Sequence, residues 1–233
     1  MYLEAAGGKE CVVRMKKISI AIDGPAAAGK STIAKMVAKN LNYTYIDTGA
    51  MYRCVAYYAL KNHVPFDDEQ GVCELLKDIQ IQMLPDGTIH LNREDVTSSI
   101  RENEVSMGAS CVSQYQAVRD FLVRQQREMA AAGGVILDGR DIGTVVLKDA
   151  ELKIYQVASI ECRALRRHKE NMERGIDSDL EAIALDIAQR DEQDMNRAIS
   201  PLKKADDAIE IDTSEMSLDE VVARVMELVA QRV

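Results

Sequence analysis

The chain is poor in the residues that build zinc sites, disulfide frameworks and membrane spans. Its 233 residues include no tryptophan, 2 phenylalanines, 4 prolines, 3 histidines and 5 cysteines. No two cysteines form a C-x-x-C pair and the histidines are far apart, so neither a zinc site nor a disulfide framework is expected. A reducing cytoplasm is therefore the predicted location. No apolar run approaches the ~18 residues that span a bilayer, so no membrane partner is expected.

Positive charge is also scarce. The 29 Lys and Arg residues are outnumbered by 38 Asp and Glu residues, which gives a formal net charge of −9. This balance argues against a nucleic-acid polymer or an acidic membrane as a partner. The length fits one domain with inserted lobes, and a hydrophobic content of 47% can supply its core. We interpret residues 1–14 as an extension or tag, because Met15 and the lysines after it directly precede the first predicted strand.

Five short apolar segments alternate with helical patterns along the chain. This alternation predicts an α/β fold in which helices cover both faces of a doubly wound, five-stranded parallel sheet. The rhythm is interrupted over residues 79–96, where alternating residues on both sides of Pro85-Asp86-Gly87 predict an inserted β-hairpin. Capping boxes of the form S-x-x-E are predicted at Ser178 and Ser217. The predicted strands are 18–22, 43–46, 135–138, 152–157 and 208–212.

The stretch GPAAAGKST, between the first strand and the first helix, completes the pattern G-x-x-x-x-G-K-[ST]. Such a loop aims backbone N–H groups at phosphate oxygens, and the helix N-terminus adds positive charge. Lys30 is predicted to reach the β- and γ-phosphates of ATP, and Ser31 to bind Mg²⁺. Asp138, at the end of a predicted strand, is a second Mg²⁺ candidate or a capping residue. The predicted ATP-binding residues are Gly24, Pro25, Ala26, Ala27, Ala28, Gly29, Lys30, Ser31 and Thr32.

Three classes of P-loop protein compete for this sequence. The N-K-x-D element of GTPases and the L-S-G-G-Q signature of transporter ATPases are both missing. A small-molecule kinase needs a second anion site, which scattered arginines could form. A kinase for UMP or shikimate stays open, as does a binding or switch protein without an acceptor. The candidate arginines are Arg53, Arg119, Arg140, Arg166, Arg167, Arg190 and Arg197.

Four motifs in order, the P-loop followed by DTGAMYR (47–53), DGRDIGT (138–144) and RDEQDMNRAISPL (190–202), make the chain recognisable. From about Lys16 to the C-terminus it closely resembles the bacterial cytidylate kinases, a branch of the nucleoside monophosphate kinases. The resemblance implies transfer of the γ-phosphoryl group of ATP to CMP or dCMP by a monomer. It also implies a core of residues 15–62, 101–158 and 191–233, a monophosphate-binding lobe of about 63–100, and a helical lid of about 159–190.

The resemblance further implies a role for individual side chains. Asp141 would accept from the N4 amino group of cytosine, because a carboxylate matches that donor. Asp194 would contact the sugar, and Thr48 would lie near the CMP site. The adenine site is expected near Ser200-Pro201 and the last helix. For the acceptor phosphate the resemblance implies Arg53, Arg140 and Arg197, and for the base it implies Ser110 and Arg119. The implied catalytic residues are Lys30, Arg140, Arg166, Arg167 and Arg190. Within the predicted lid helix, Arg166 and Arg167 share one basic face with Arg163.

Overall fold

The computed structural model describes residues 17–84, 86–173 and 175–233, so the proposed extension of residues 1–14 lies outside the described residues. A five-stranded sheet forms the centre of the protein, and every pair of neighbouring strands in it is parallel. The predicted parallel sheet is therefore confirmed. With strands numbered in chain order, its members are β1 (Ser19–Asp23), β2 (Thr44–Asp47), β6 (Val135–Gly139), β7 (Leu152–Val157) and β8 (Ile209–Asp212), in the spatial order β2-β6-β1-β7-β8.

Helices cover both faces of this sheet because its strands are apolar on both sides. Successive residues of a strand point to opposite faces. Ile20 and Ile22 therefore pack with α1 (Lys30–Leu41) and α8 (Leu218–Ala230), whereas Ala21 packs with helices of the other layer. That layer contains α2 (Thr48–Lys61), α4 (Asn103–Val112) and α5 (Gln116–Ala130). No helix among the described residues is both long and apolar enough to cross a membrane.

A second, smaller sheet lies between α2 and α4 in the sequence. The hairpin predicted over residues 79–96 is confirmed, since β3 (Ile81–Met83) and β4 (Ile89–Leu91) pair antiparallel. A third strand, β5 (Glu94–Asp95), pairs with β4 and has two exposed residues, so no alternation marked it in the sequence. The helix α3 (Glu69–Leu75) precedes this sheet and was not predicted. Short 3-10 turns at 76–78 and 99–101 flank this small sheet.

Two helices, α6 (Ile160–Glu173) and α7 (Leu180–Asn196), form a pair beside the P-loop. The capping box predicted at Ser178 is wrong. Asp179 caps α7 instead, because its carboxylate accepts from the backbone N–H of Ala182. The Ser178 hydroxyl lies 2.8 Å from Nδ1 of His168 and is engaged there. The helix therefore begins one residue later than expected, which moves Glu181 out of the position that a capping box requires.

The capping box predicted at Ser217 is confirmed and gives a stability prediction. The Ser217 hydroxyl accepts from the Glu220 N–H at 3.3 Å, and the Glu220 carboxylate accepts from the Ser217 N–H at 2.8 Å. We expect Ser217→Ala to lower the free energy of unfolding in urea by about 1 kcal/mol. The control Ser178→Ala removes no cap and should cost about 0.5 kcal/mol or less. Equal losses in the two variants would contradict the assigned caps.

Candidate active site

The P-loop, residues 24–29, takes its shape from two glycines and a strand neighbour. Gly24 has a φ of 150°, and a Cβ there would collide with the carbonyl oxygen of Gln156. Gly29, with a φ of 85°, lies directly before α1. The Gln156 side chain donates to the carbonyl of Ala28 at 2.5 Å. The loop is therefore fixed in a conformation that other residues at these positions would disturb.

A buried ion pair from the α6–α7 hairpin also fastens the loop. Asp191 on α7 accepts from the backbone N–H of Ala26 at 3.0 Å, and Arg163 on α6 donates to the Ala26 carbonyl at 2.8 Å. The two side chains pair at 2.6 Å. The predicted basic lid face is thus wrong for Arg163, which is only 4% exposed. The spacing of the arginines along a helix cannot reveal that Arg163 is buried, because the carboxylate that pairs with it lies 28 residues further along the chain.

Lys30 lies buried at the start of α1. Its ammonium group donates to the carbonyls of Gly24 at 2.8 Å and Pro25 at 2.7 Å. Burial, aided by the positive charge of Arg140, lowers the pKa of Lys30 from 10.5 to about 7. Phosphate oxygens at this place would have the opposite effect, since a nearby anion favours the charged amine. The lysine is therefore positioned and electrostatically prepared for an anionic ligand.

The two predicted Mg²⁺ ligands lie together. Asp138 ends β6 with a buried carboxylate, whose Oδ2 accepts from the Ser31 hydroxyl at 2.7 Å. Its Oδ1 accepts from the Tyr45 hydroxyl at 2.8 Å. Burial and the charge of Asp47 raise the pKa of Asp138. A hydroxyl and a carboxylate are oxygen donors that suit Mg²⁺. The described residues hold no cluster of three or more His, Cys, Asp or Glu side chains that could bind a metal ion.

Arg140 and Arg197 share one carboxylate. Arg140 Nε donates to Asp194 Oδ2 at 2.6 Å, and Arg197 Nη1 lies 3.7 Å from Asp194 Oδ1. Burial alone would raise the pKa of Asp194, but the two guanidinium groups hold it below its usual value. The charge of Arg140 also acts on Lys30, the first residue after the P-loop. The structure therefore brings two of the predicted acceptor arginines, Arg140 and Arg197, onto one carboxylate.

Asp47 at the end of β2 pairs with Arg53, as Asp194 pairs with Arg140. Its Oδ1 caps α2, while Oδ2 pairs with Arg53 at 3.2 Å and with Arg101 at 2.8 Å. These arginines keep the pKa of Asp47 low although burial would raise it. Thr48, the next residue, donates to the backbone carbonyl of Asp138 at 2.6 Å. Arg101 was missed by sequence reasoning, because no motif surrounds it at the end of the small lobe.

Arg119 and Asp141, both predicted to recognise the base, form a buried ion pair. Arg119 also donates to the carbonyl of Ser113 at 3.1 Å and to the hydroxyl of Ser200 at 3.2 Å. Arg197 donates to the Ser200 carbonyl at 2.5 Å. Ser200 thus contacts two of the residues predicted to bind CMP, whereas the adenine site expected near Ser200-Pro201 stays a prediction. The left-handed backbone of Ser200, with a φ of 48°, folds the segment back onto two acceptor arginines.

The turn that follows β6 is held by a residue that the sequence did not single out. Asp23, directly before the P-loop, accepts from the backbone N–H groups of Ile142 at 2.8 Å and Gly143 at 2.7 Å. Burial raises the pKa of Asp23 to about 6. Because Arg140 and Asp141 lie in this turn, Asp23 couples the P-loop to the acceptor residues. Its position beside the P-loop motif was the available signal.

The other predicted residues are less closely assembled. Ser110 lies half-buried on α4, and among the described residues no hydrogen bond joins its side chain to the acceptor cluster. Arg166 donates to the backbone carbonyl of Thr213, just after β8, at 2.6 Å. The remaining lid arginines are at least one-third exposed and pair locally, Arg167 with Glu170 at 3.4 Å and Arg190 with Asp186 at 3.8 Å.

Known proteins resemble this chain over nearly its whole length. The sequence profile of the family described as Cytidylate kinase matches residues 20–231. A cytidylate kinase of Bacillus cereus (strain ATCC 10987 / NRS 248) is 53% identical over 218 residues, which cover 92% of this chain and 97% of the relative. Another, from Bacillus anthracis (strain CDC 684 / NRRL 3495), is 53% identical over 217 residues, or 92% and 96% of the two chains.

Solved structures match this chain at much lower identity. An uncharacterized protein from Eubacterium ventriosum ATCC 27560 has a TM-score of 0.52 and 13% identity, over 93% of this chain and all of the other. A shikimate kinase from Bacteroides thetaiotaomicron has a TM-score of 0.47 and 15% identity, over 92% and 99%. The match to the family profile and the 53% identity to the Bacillus proteins carry the assignment. The chain belongs to the cytidylate kinase family.

Proposed function

We propose that this enzyme transfers the γ-phosphoryl group of ATP to CMP or dCMP and forms ADP and CDP or dCDP. Membership of a kinase family supports ATP as the donor. One observation carries the proposal for this chain: Arg140 and Arg197 meet on Asp194, and the charge of Arg140 reaches Lys30. The donor loop and the acceptor cluster of basic residues thus lie close to each other, since Asp23, directly before the loop, binds the turn that carries Arg140.

On the donor side, backbone N–H groups of the P-loop and of the start of α1 hold the phosphates of ATP. Lys30 exchanges its carbonyl partners for β- and γ-phosphate oxygens and gains its proton there. We propose that Ser31 and Asp138 hold Mg²⁺, which adds positive charge beside the transferring phosphoryl group. The fixed loop costs no reorganisation during the reaction, and this is the source of its electrostatic benefit.

On the acceptor side, Arg53, Arg140 and Arg197 bind the CMP phosphate. Guanidinium forks fix the direction from which the phosphate oxygen attacks. In the structure the carboxylates of Asp47 and Asp194 hold these arginines in place. Because these carboxylates already order the arginines, little further ordering is needed when the acceptor phosphate binds.

The nucleoside is recognised by neighbouring groups. Asp141, held through Oδ2 by Arg119, directs Oδ1 to the cytosine N4 amino group. Ser110 and Arg119 supply donors for the base acceptors, and Asp194 accepts from a sugar hydroxyl. Thr48 orders the backbone at the end of β6 beside this site. Phosphoryl transfer then needs little covalent chemistry from the protein, only alignment and neutralisation of charge on the oxygens.

The lid arginines Arg166, Arg167 and Arg190 close over the ATP phosphates and exclude water, which would otherwise accept the phosphoryl group.

We expect Arg166→Ala and Arg167→Ala to lower kcat at least 10-fold and to change the KM for CMP less than 3-fold, on the order of magnitude known for single transition-state contacts. Arg224→Ala is the matched control for Arg167, since both are half-exposed and pair with a Glu three residues later. It should leave kcat unchanged. Equal kcat values for the Arg167 variant and this control would contradict the lid role.

A coupled assay of ADP release tests the proposed function. With ATP and Mg²⁺, we expect CMP and dCMP to accelerate ADP release strongly, and UMP, AMP and shikimate to have little effect. Faster release with UMP or shikimate would identify a kinase of the same fold with another acceptor. Release that is independent of any acceptor would favour a slow switch or binding protein. We also propose that the enzyme acts as a monomer, which analytical ultracentrifugation tests directly.

A further inference from the structure

Tyr52 carries a buried hydroxyl that has no partner. The residue lies in the second turn of α2, and its ring packs against the apolar cluster beneath the helix. Among the described residues nothing forms a hydrogen bond with its hydroxyl, although the oxygen is buried. Leaving a polar group buried and unpaired costs about 1–3 kcal/mol. A phenylalanine would avoid this cost, so the fold alone gives no reason for a hydroxyl here.

The surroundings of this hydroxyl are those of the acceptor site. The guanidinium carbon of Arg119 lies 5.6 Å from the centre of the Tyr52 ring, within the range of a cation–π contact. The charges of Arg119, Asp141 and Arg197 all act on the phenol. Burial raises the pKa of Tyr52 to about 12, so its hydroxyl keeps its proton at neutral pH and can donate.

A second unpaired donor belongs to the same cluster. Arg197 Nη2 is buried without a hydrogen-bond partner, on a side chain that is 7% exposed. It lies 3.8 Å from Oδ1 of Asp141, an ion-pair distance beyond hydrogen-bonding range. Two unpaired donors, one beside Asp141 and one on the ring that contacts its partner Arg119, are an arrangement that a ligand with several acceptor atoms would complete.

We propose that Tyr52 is a further acceptor-binding residue, whose hydroxyl donates a hydrogen bond to the pyrimidine base beside Asp141 and whose ring holds Arg119. The proposal rests on the proposed CMP kinase function and adds a residue to its base site. A cytosine ring offers O2 and N3 as acceptors, and either can take the proton of the phenol. The base would thereby replace the missing partner, and part of the binding free energy would come from relieving the unpaired hydroxyl.

Tyr52→Phe tests this, because it removes the hydroxyl and keeps the ring. We expect the KM for CMP to rise about 10-fold, as for one uncharged hydrogen bond of about 1.4 kcal/mol. The KM for ATP should not change. The melting temperature should stay equal or rise, because the variant no longer buries an unpaired hydroxyl. A merely structural tyrosine would give the opposite pair of results, lower stability with unchanged CMP affinity.

Two further variants sharpen the experiment. Tyr58→Phe, on the same helix and half-buried, is the matched control and should leave both KM values unchanged. Tyr52→Leu also removes the ring, so it should weaken discrimination between CMP and UMP through loss of the contact with Arg119. An unchanged KM for CMP in Tyr52→Phe, with a wild-type enzyme that uses CMP, overturns the role of Tyr52 alone. A wild-type enzyme that ignores CMP overturns the proposed function and this inference with it.

Discussion

Wild-type enzyme should show a kcat/KM for CMP about 10⁴-fold above that for UMP, the discrimination expected when a buried polar group is left without its partner. Cytosine presents an amino donor at N4 where uracil presents the acceptor O4. In the proposed site the Asp141 carboxylate would accept from the first and repel the second. Arg119 fixes the orientation of this carboxylate, so it cannot turn away from the wrong base. Steady-state rates with the two acceptors at saturating ATP measure the ratio.

Replacing Asp141 with Asn should reduce this selectivity at least 100-fold, because an amide can direct either its oxygen to N4 or its NH₂ to O4. The variant also weakens the buried pair with Arg119, so its unfolding must be measured alongside. Asp194→Asn is the matched control, because it changes a carboxylate of the same cluster that we propose contacts the sugar and not the base. It should lower kcat/KM for both acceptors and preserve their ratio. Comparable kcat/KM for CMP and UMP in the wild type would contradict the base assignment.

Lys30→Met should lower kcat about 10³-fold, the loss typical for one preorganised group that stabilises transition-state charge. The side chains have similar length, but methionine cannot neutralise the charge that develops on the γ-phosphate oxygens. Lys39→Met, an exposed change on the same helix, is the control and should leave kcat within about twofold, as is usual for surface substitutions. A Lys30→Met enzyme with near wild-type turnover would refute the donor site.

The lowered pKa of Lys30 predicts that ATP binding is accompanied by proton uptake. In the free protein Lys30 has a pKa of about 7, so at pH 8 it is largely neutral. Bound phosphates favour its charged form and raise that pKa, and ATP binding at pH 8 should therefore take up a proton. Calorimetric titrations in buffers with different ionisation enthalpies measure this uptake. It should fall in Lys30→Met, and equal uptake by the two proteins would show that another group titrates.

The sheet and the P-loop could be predicted because both are encoded locally. The strands β1 and β6 contain short apolar runs, and the P-loop, residues 24–29, lies between the first of them and a helical pattern. Elements that depend on partners elsewhere in the chain could not be predicted from the sequence. The strand β5 has no apolar pattern of its own and exists because β4 pairs with it. The helix α7 starts at Leu180 because Asp179 caps it in preference to Ser178.

The residues of the candidate site, like the elements of the fold, were predictable only where a local motif marks them. Motifs and resemblance indicated most of the candidate site residues, but not the contacts that hold them in place. Asp23 acts on backbone N–H groups about 120 residues away, and Arg163 acts on the P-loop from α6. Neither contact leaves a local pattern. Tyr52 lies inside the motif DTGAMYR, yet only the absence of a partner for its hydroxyl among the described residues draws attention to it.

The central claim is spatial: the phosphate of the acceptor and the γ-phosphate of ATP lie end to end above Lys30. A crystal structure with CMP and a non-hydrolysable ATP analogue measures it most directly. We predict that Arg53, Arg140 and Arg197 all contact the CMP phosphate, and that Lys30 leaves its carbonyl partners for phosphate oxygens. CMP bound away from these three arginines, or with its phosphate pointing away from the γ-phosphate, would contradict the account.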